Sequence, residues 1–406
     1  MKYGIWSALL AIVLLTACGK TPKTAEGILF KDDIAFLGTH TKPVVLSGED
    51  GLARIVVSPD LQGRVMTSTA AGADGLSFGW INRDLIASGE NNPHINTFGG
   101  EDRFWLGPEG GQFSIFFKKD DPFDLDHWFT PPPINEGGYE IVAQGEDRIH
   151  FHKTMHLANY SGTEFDLELN RFVRLLGRAE VVALGIPAPQ ELKMVAFSSE
   201  NEITNNGPEP WTRDTGLLSI WILGMFNPSP ETTIVIPFRT GPEEELGPIV
   251  NDAYFGKVPA DRLIIRDSVL FFRGDGLYRS KIGIPPRRVL PFAGSYDAAN
   301  GVLTVVHLTI PEGATDYVNS MWEIQDNPFA GDVVNSYNDG PAEPGAKPLG
   351  PFYELETSSP AASLDPGEAL IHVHTTIHFQ GDAEALDGIA RKIFSVGISE
   401  IAKAFI

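Results

Sequence analysis

One cysteine, Cys18, stands in a chain of 406 residues. No disulfide can therefore form within the chain, and a zinc–thiolate centre, which needs several cysteines, is excluded. If Cys18 is acylated, as argued below, a cysteine nucleophile is excluded too. Without cross-links, an exported domain has to hold together through its hydrophobic core. Positive charge is also scarce: 31 Lys and Arg against 53 Asp and Glu leave a net charge of −22. Arg287-Arg288, in a proline-rich turn, is the nearest thing to a basic cluster. Nucleic acid and anionic headgroups would repel such a body, so no nucleic-acid partner is expected, and neutral or cationic substrates fit better than phosphorylated ones. No glycine-rich phosphate loop follows a strand-like run, which argues against a nucleotide, and no cofactor is expected. Residues 28–380 contain no linker-like shift in composition and no repeat of solenoid period.

The N-terminus carries the strongest positive signal. Lys2 precedes an apolar run from Ile5 to Leu15, interrupted only by Ser7, and Leu15-Thr16-Ala17-Cys18-Gly19 follows. A run this short cannot cross about 30 Å of hydrocarbon and reads as a secretory signal, residues 1–17. The cysteine at its end makes a lipobox, with Cys18 as the lipidation site. Stable anchoring takes about two lipid signals, and full acylation of Cys18 would supply three chains. Gly19 rather than Asp after the cysteine favours the outer membrane, by analogy with other Gram-negative lipoproteins. The expectation is a cell-envelope, outer-membrane-anchored lipoprotein, facing the periplasm or the cell surface, with residues 18–27 as lipidated cysteine and tether.

The rest of the chain is punctuated by 42 Gly and 30 Pro. Between them lie short runs with period-two alternation or β-branched enrichment: 53–57, 112–118, 164–169, 219–223, 232–238, 302–309 and 371–379. Many short strands at close spacing predict an all-β sandwich or barrel rather than a βαβ fold. One segment, 382–405, places Leu386, Ile389, Ala390, Ile393, Phe394 and Ile401 at helical spacing and predicts a C-terminal helix packed outside a sheet. Residues 335–350 read as a loop, and 131–138, with three consecutive prolines, as an extended one.

Four segments in order resemble one family: Arg64–Ser68 after a strand-like run; Phe98-Gly-Gly-Glu-Asp-Arg-Phe-Trp-Leu-Gly-Pro-Glu109; Glu202–Pro210 with Asn205-Asn206-Gly207; and Tyr353-Glu-Leu-Glu-Thr-Ser-Ser-Pro360 leading into Leu364-Asp-Pro-Gly-Glu368. Over roughly residues 30–380 the chain resembles the galactose-mutarotase-like β-supersandwich proteins, and more narrowly an uncharacterised family of bacterial lipoproteins with that fold. The resemblance implies one large domain of two antiparallel sheets over residues 28–406, which fits a length that otherwise splits into two domains. It also implies a carbohydrate ligand. In aldose epimerases and mutarotases the stretch resembling Leu355–Ser358 bears the general base, which places Glu356 in that role. Opening a cyclic hemiacetal needs such a base and an acid. The family's acid is a mid-chain histidine, and here no histidine lies between His156 and His307. Glu101, Asp102, Glu109 or a tyrosine are the substitutes.

Arg103 and Trp105 alternate onto one face of an extended segment, where Trp offers a flat surface to a sugar ring and Arg its forked donors. With Glu109 and Lys281 they are the substrate-binding candidates. The alternative is a core Trp with Arg103 paired to Glu109. Trp221 is a weaker candidate and reads as core. His150, His152 and His156 share the spacing H-x-H-x3-H with His372, His374 and His378. Only if their strands were neighbours would a mixed histidine site arise, so no metal is assigned. The functional expectation is an exported lipoprotein that binds or processes a carbohydrate in a mutarotase-like cleft. The alternative is a non-catalytic glycan-binding or structural envelope protein.

Overall fold

The computed structural model describes residues 27–343 and 345–406, so the signal segment and Cys18 lie outside the described residues. The strands are β1 (Val44–Ser47), β2 (Arg54–Ser58), β3 (Arg64–Thr69), β4 (Arg103–Gly107), β5 (Glu140–Gln144), β6 (Arg148–Ala158), β7 (Glu164–Leu175), β8 (Lys193–Asn205) and β9 (Ser219–Phe226). The second half adds β10 (Thr232–Pro237), β11 (Leu263–Arg266), β12 (Val269–Arg273), β13 (Ser280–Ile284), β14 (Phe292–Asp297), β15 (Val302–Leu308), β16 (Val334–Asn338), β17 (Tyr353–Ser358) and β18 (Ala369–Gln380). They form a ten-stranded sheet, β11-β12-β10-β14-β15-β18-β8-β7-β6-β5, a five-stranded sheet, β13-β16-β17-β9-β4, and a three-stranded sheet, β1-β2-β3. The paired strands run antiparallel, which fits an all-β sandwich. Backbone bonds from Val65 to Asp102 and from Glu101 back to Val65 join β3 to the edge of the five-stranded sheet.

Period-two alternation sorts the side chains between faces. On β10, Ile234 and Ile236 enter the core shared with the five-stranded sheet, among Leu270, Phe272, Ile282 and Leu355. Val235, between them, turns to the opposite face and packs with Leu303, Val305, Ile377 and Phe379 under the C-terminal helices. On β17, Tyr353 and Leu355 point inward, so Glu354 and Glu356 point away from the inter-sheet core.

The C-terminal segment covers the outer face of the large sheet as expected, with Leu386, Ile389, Ala390, Ile393, Phe394 and Ile401 buried. It is not one helix over 382–405 but two, Ala383–Phe394 and Ile398–Ala402. Ser395 takes the left-handed conformation (φ 62°) that ends the first. The Asp387 carboxylate then accepts the Ile398 N–H, and Glu400 accepts that of Gly397, so the second helix starts with its free donors satisfied. Three other expectations are corrected. Residues 112–118 form turns, because the Ser114 hydroxyl accepts from Phe116 N and donates to the Glu109 carbonyl, local bonds that replace a ladder. Residues 335–338 belong to β16, where Asn335 is paired opposite Glu356 and Gly283. Pro132–Asn135 is a single helical turn, with proline in the first position, where no donor is missed.

Candidate functional site

The outward face of the five-stranded sheet is the floor of a cleft of about 400 Å³. The register places Lys281, Tyr337, Glu354 and Met225 in one row across β13, β16, β17 and β9. Asn335, Glu356, Leu223 and Arg103 form the next row across β16, β17, β9 and β4. Trp221 stands opposite Trp105 at its end. Loops raise the walls: Trp128 and Trp322 stack at 6.0 Å between ring centroids, and Phe255, Asp339 and Phe352 close the opposite side. Four tryptophans thus line one cleft together with ionisable groups, among them Arg103, Glu109, Lys281 and Glu354, an aromatic pocket with convergent polar groups of the kind expected of a small-molecule site.

Of the residues singled out from sequence, Arg103, Trp105, Glu109 and Lys281 line this cleft, and so does Trp221. The Arg103 guanidinium carbon lies 4.1 Å from the Trp105 ring centroid, and the tryptophan is buried yet lines the cleft. Arg103 approaches Glu354 at 3.4 Å rather than pairing with Glu109. Glu356 lies under the floor and is wholly buried. Its Oε2 accepts from Lys281 Nζ and from Trp221 Nε1, each at 2.9 Å. Its Oε1 has no partner among the described residues. Lys281 in turn stands 4.7 Å from the Trp221 ring. The carboxyl that reaches the cleft is Glu354, two residues earlier on the same face.

Electrostatics separates these acids. Burial, and next the negative charge of Glu356, pushes the Glu354 carboxyl up to about 8, against the pull of Arg103 and Lys281. Burial also raises Glu109. Burial works to lower Lys281, but Glu356 and Glu109 outweigh it and hold the ammonium above its ordinary value. At neutral pH the Glu354 carboxyl therefore holds its proton, 3.4 Å from the Arg103 guanidinium.

Glu101 and Asp102 do not substitute for the missing acid, because both point into the interior. Asp102 pairs with Arg171 at 2.6 Å, each side chain fully buried. Glu101 accepts from Ser68 and stands 2.9 Å from His378 Nε2. The cleft does contain an imidazole: His94, on a loop before β4, lines it. Its Nδ1 lies 2.6 Å from the Trp128 carbonyl, an acceptor, which places a proton on Nδ1. His94, Trp128, Trp322, Tyr337 and Asp339 were not legible as site residues. They come from loops and edges that only the fold brings over the sheet, and aromatic side chains in polar loops were the one available signal.

The mixed histidine site does not form, because β8 and β7 separate β18 from β6. The β6 histidines pair along the partner strand, His150 with Asn170 at 2.9 Å and His156 with Asp166 at 2.8 Å. Those of β18 are buried: Thr357 Oγ1 bridges His372 and His374 at 2.9 Å each.

The model of one protein family, a family of unknown function designated DUF6786, matches residues 28–405. No curated protein sequence matches the chain. Among solved structures, a protein from Synechocystis sp. PCC 6803 is similar at 12% identity and a TM-score of 0.49, over 84% of this chain and 96% of that one. A galactose mutarotase related enzyme from Lactobacillus acidophilus is similar at 10% identity and a TM-score of 0.45, over 84% and 98%. A galactose mutarotase-like protein from Lactobacillus casei ATCC 334 is similar at 9% identity and a TM-score of 0.46, over 84% and 100%.

Proposed function

The chain belongs to DUF6786, a family of unknown function, and we propose that it is an exported lipoprotein, held at the outer membrane through Cys18, whose cleft binds a saccharide and passes it a proton from Glu354. The observation that carries the reading is the cleft itself: Trp105, Trp128, Trp221 and Trp322 around a floor with Arg103, Lys281 and Glu354. The aromatic lining packs against the apolar face of a pyranose, and fixed polar groups orient its hydroxyls. Glu354 is the acid of the site. Glu356, beneath it, keeps that proton in place through its own charge and fixes Lys281. Donation to the ring oxygen is the step such an acid serves: the bond from C1 to the ring oxygen breaks as the O1 proton passes to solvent water and C1 becomes a carbonyl.

The test follows anomer exchange of aldoses and uronic acids by NMR. Wild-type protein is expected to accelerate exchange, and Glu354→Gln to lose about 10²-fold, the ordinary worth of a positioned acid. Activity is expected to fall as pH rises through about 8, where Glu354 gives up its proton. Glu356→Gln losing all activity while Glu354→Gln keeps it would return the role to Glu356. The second reading, binding without chemistry, is favoured by the burial of Glu356 and by its commitment to Lys281 and Trp221. No acceleration, with line broadening of one sugar by both wild type and Glu354→Gln, would establish it. The anchor is tested separately. Cys18→Ser is expected to abolish labelling by radioactive palmitate and to move the protein from the membrane to the soluble fraction. Unchanged labelling would remove the lipoprotein assignment.

A further inference from the structure

Four arginine side chains are almost wholly withdrawn from solvent: Arg64, Arg103, Arg171 and Arg288. Three are saturated at every guanidinium nitrogen. Arg64 donates to Gln62 and the Gly99 carbonyl. Arg171 donates to the Gly63 carbonyl, Asn201 and Asp102. Arg288 donates to the carbonyls of Arg239, Gly241 and Gly247. Arg103 is the exception. It is 2% exposed, its Nε and Nη1 have no partner among the described residues, and Nη2 has only a long bond to Glu354 at 3.4 Å. A buried cation left unpaired costs several kcal/mol, so a fold that saturates the other three leaves this one for a reason. The difference is location: of the four, Arg103 alone lines the cleft.

Resting on the saccharide reading, we propose that the cleft takes an acidic sugar, a uronate, whose carboxylate pairs with the forked guanidinium of Arg103. A planar carboxylate matches that fork, and Trp105 beneath the guanidinium fixes its plane. The neighbouring charges agree. Lys281 is committed to Glu356 at 2.9 Å and does not compete for the anion. Arg279, stacked 4.0 Å over Phe255 on the wall, has no ion-pair partner among the described residues and adds a second positive charge. Burial raises both Glu354 and Glu109 toward their neutral forms, which weakens their opposition to a bound anion, in a protein of net charge −22. That same overall charge selects a monoanion over a phosphate dianion, for which one free buried guanidinium is too little compensation.

Tryptophan fluorescence titration of the full chain compares matched pairs: glucuronate with glucose, galacturonate with galactose, short polyuronide fragments with their neutral counterparts, and glucose 6-phosphate as a second anion. At least one uronate is expected to bind ten-fold or more tightly than its parent sugar. Arg103→Met should reduce the uronate to the parent's affinity, and Arg103→Lys should restore part of the difference. Equal affinity within each pair overturns the uronate assignment and leaves the saccharide reading standing. Glucose 6-phosphate bound in preference to every uronate overturns the carboxylate in favour of a phosphate. No saccharide of either kind bound overturns the saccharide reading and this inference with it.

Discussion

Replacing Asp102 by Ala is expected to cost about 3–5 kcal/mol of folding stability, the range for removing one partner of a buried ion pair. Asp102 and Arg171 are each fully buried, with 2.6 Å between charged atoms. The second oxygen of Asp102 accepts from Ser199 Oγ at 2.7 Å, and Arg171 also donates to Asn201 at 2.6 Å. Deleting the carboxylate leaves a guanidinium in the interior with neutral partners only, and no route for its charge to reach solvent. The pair joins the residue that leads into β4 of the five-stranded sheet to β7 of the large one, so the loss falls on the contact between layers. Arg103, the next residue on β4, faces the cleft, so a weakened Asp102 anchor should also loosen ligand binding. Urea unfolding at pH 7 measures the first effect. A loss below about 1 kcal/mol, the value of an exposed pair, would mean that water reaches Arg171.

The second large effect is an acid-side penalty from His372 and His374. Burial holds them near 3 and 4, far below the ordinary histidine value. For His374, Asp102 raises and Arg171 lowers within that shift. Depressed folded values mean that stability is fully present above about pH 6.5, where both states hold neutral rings. As pH falls below 6.5 the unfolded chain takes up protons that the folded one refuses, and stability is lost. Two rings at about 1.4 kcal/mol per pH unit make about 5 kcal/mol between pH 6.5 and 4.5. Glu354 and Asp332, raised by burial to about 8 and about 6, work in the opposite direction over the same range. The wild-type curve alone is therefore shallow, and the measurement is a difference. The stability advantage of wild type over a His372→Asn, His374→Asn double variant should shrink by about 5 kcal/mol from pH 6.5 to 4.5. A constant difference would mean that the rings already titrate in the folded state.

Much of the architecture was legible because alternation is a local property of the chain. The run Tyr353-Glu354-Leu355-Glu356 puts two carboxylates on one face and two apolar groups on the other whatever the partners are. Likewise Arg103 and Trp105 had to share a face, and the apolar spacing of 382–405 had to lie against a sheet. These expectations hold in the structure, apart from the helix break at Ser395, where one residue's left-handed backbone outweighs a continuous apolar pattern.

Sequence by itself thus determined the all-β class, the pairing of side chains on common faces and a mutarotase-like family resemblance. Only the tertiary structure decided which carboxylate meets the cleft. Glu354 and Glu356 are equivalent in pattern, but Lys281 and Trp221 cover Glu356, while Glu354 opens between Met225 and Tyr337. The two histidine trios, identical in spacing, diverge for the same reason. β6 lies next to the edge strand and shows its histidines to solvent, whereas β18 lies in mid-sheet under the second layer. Burial, and with it pKa and reactivity, depends on what packs over a face, and residues distant in the chain supply that cover.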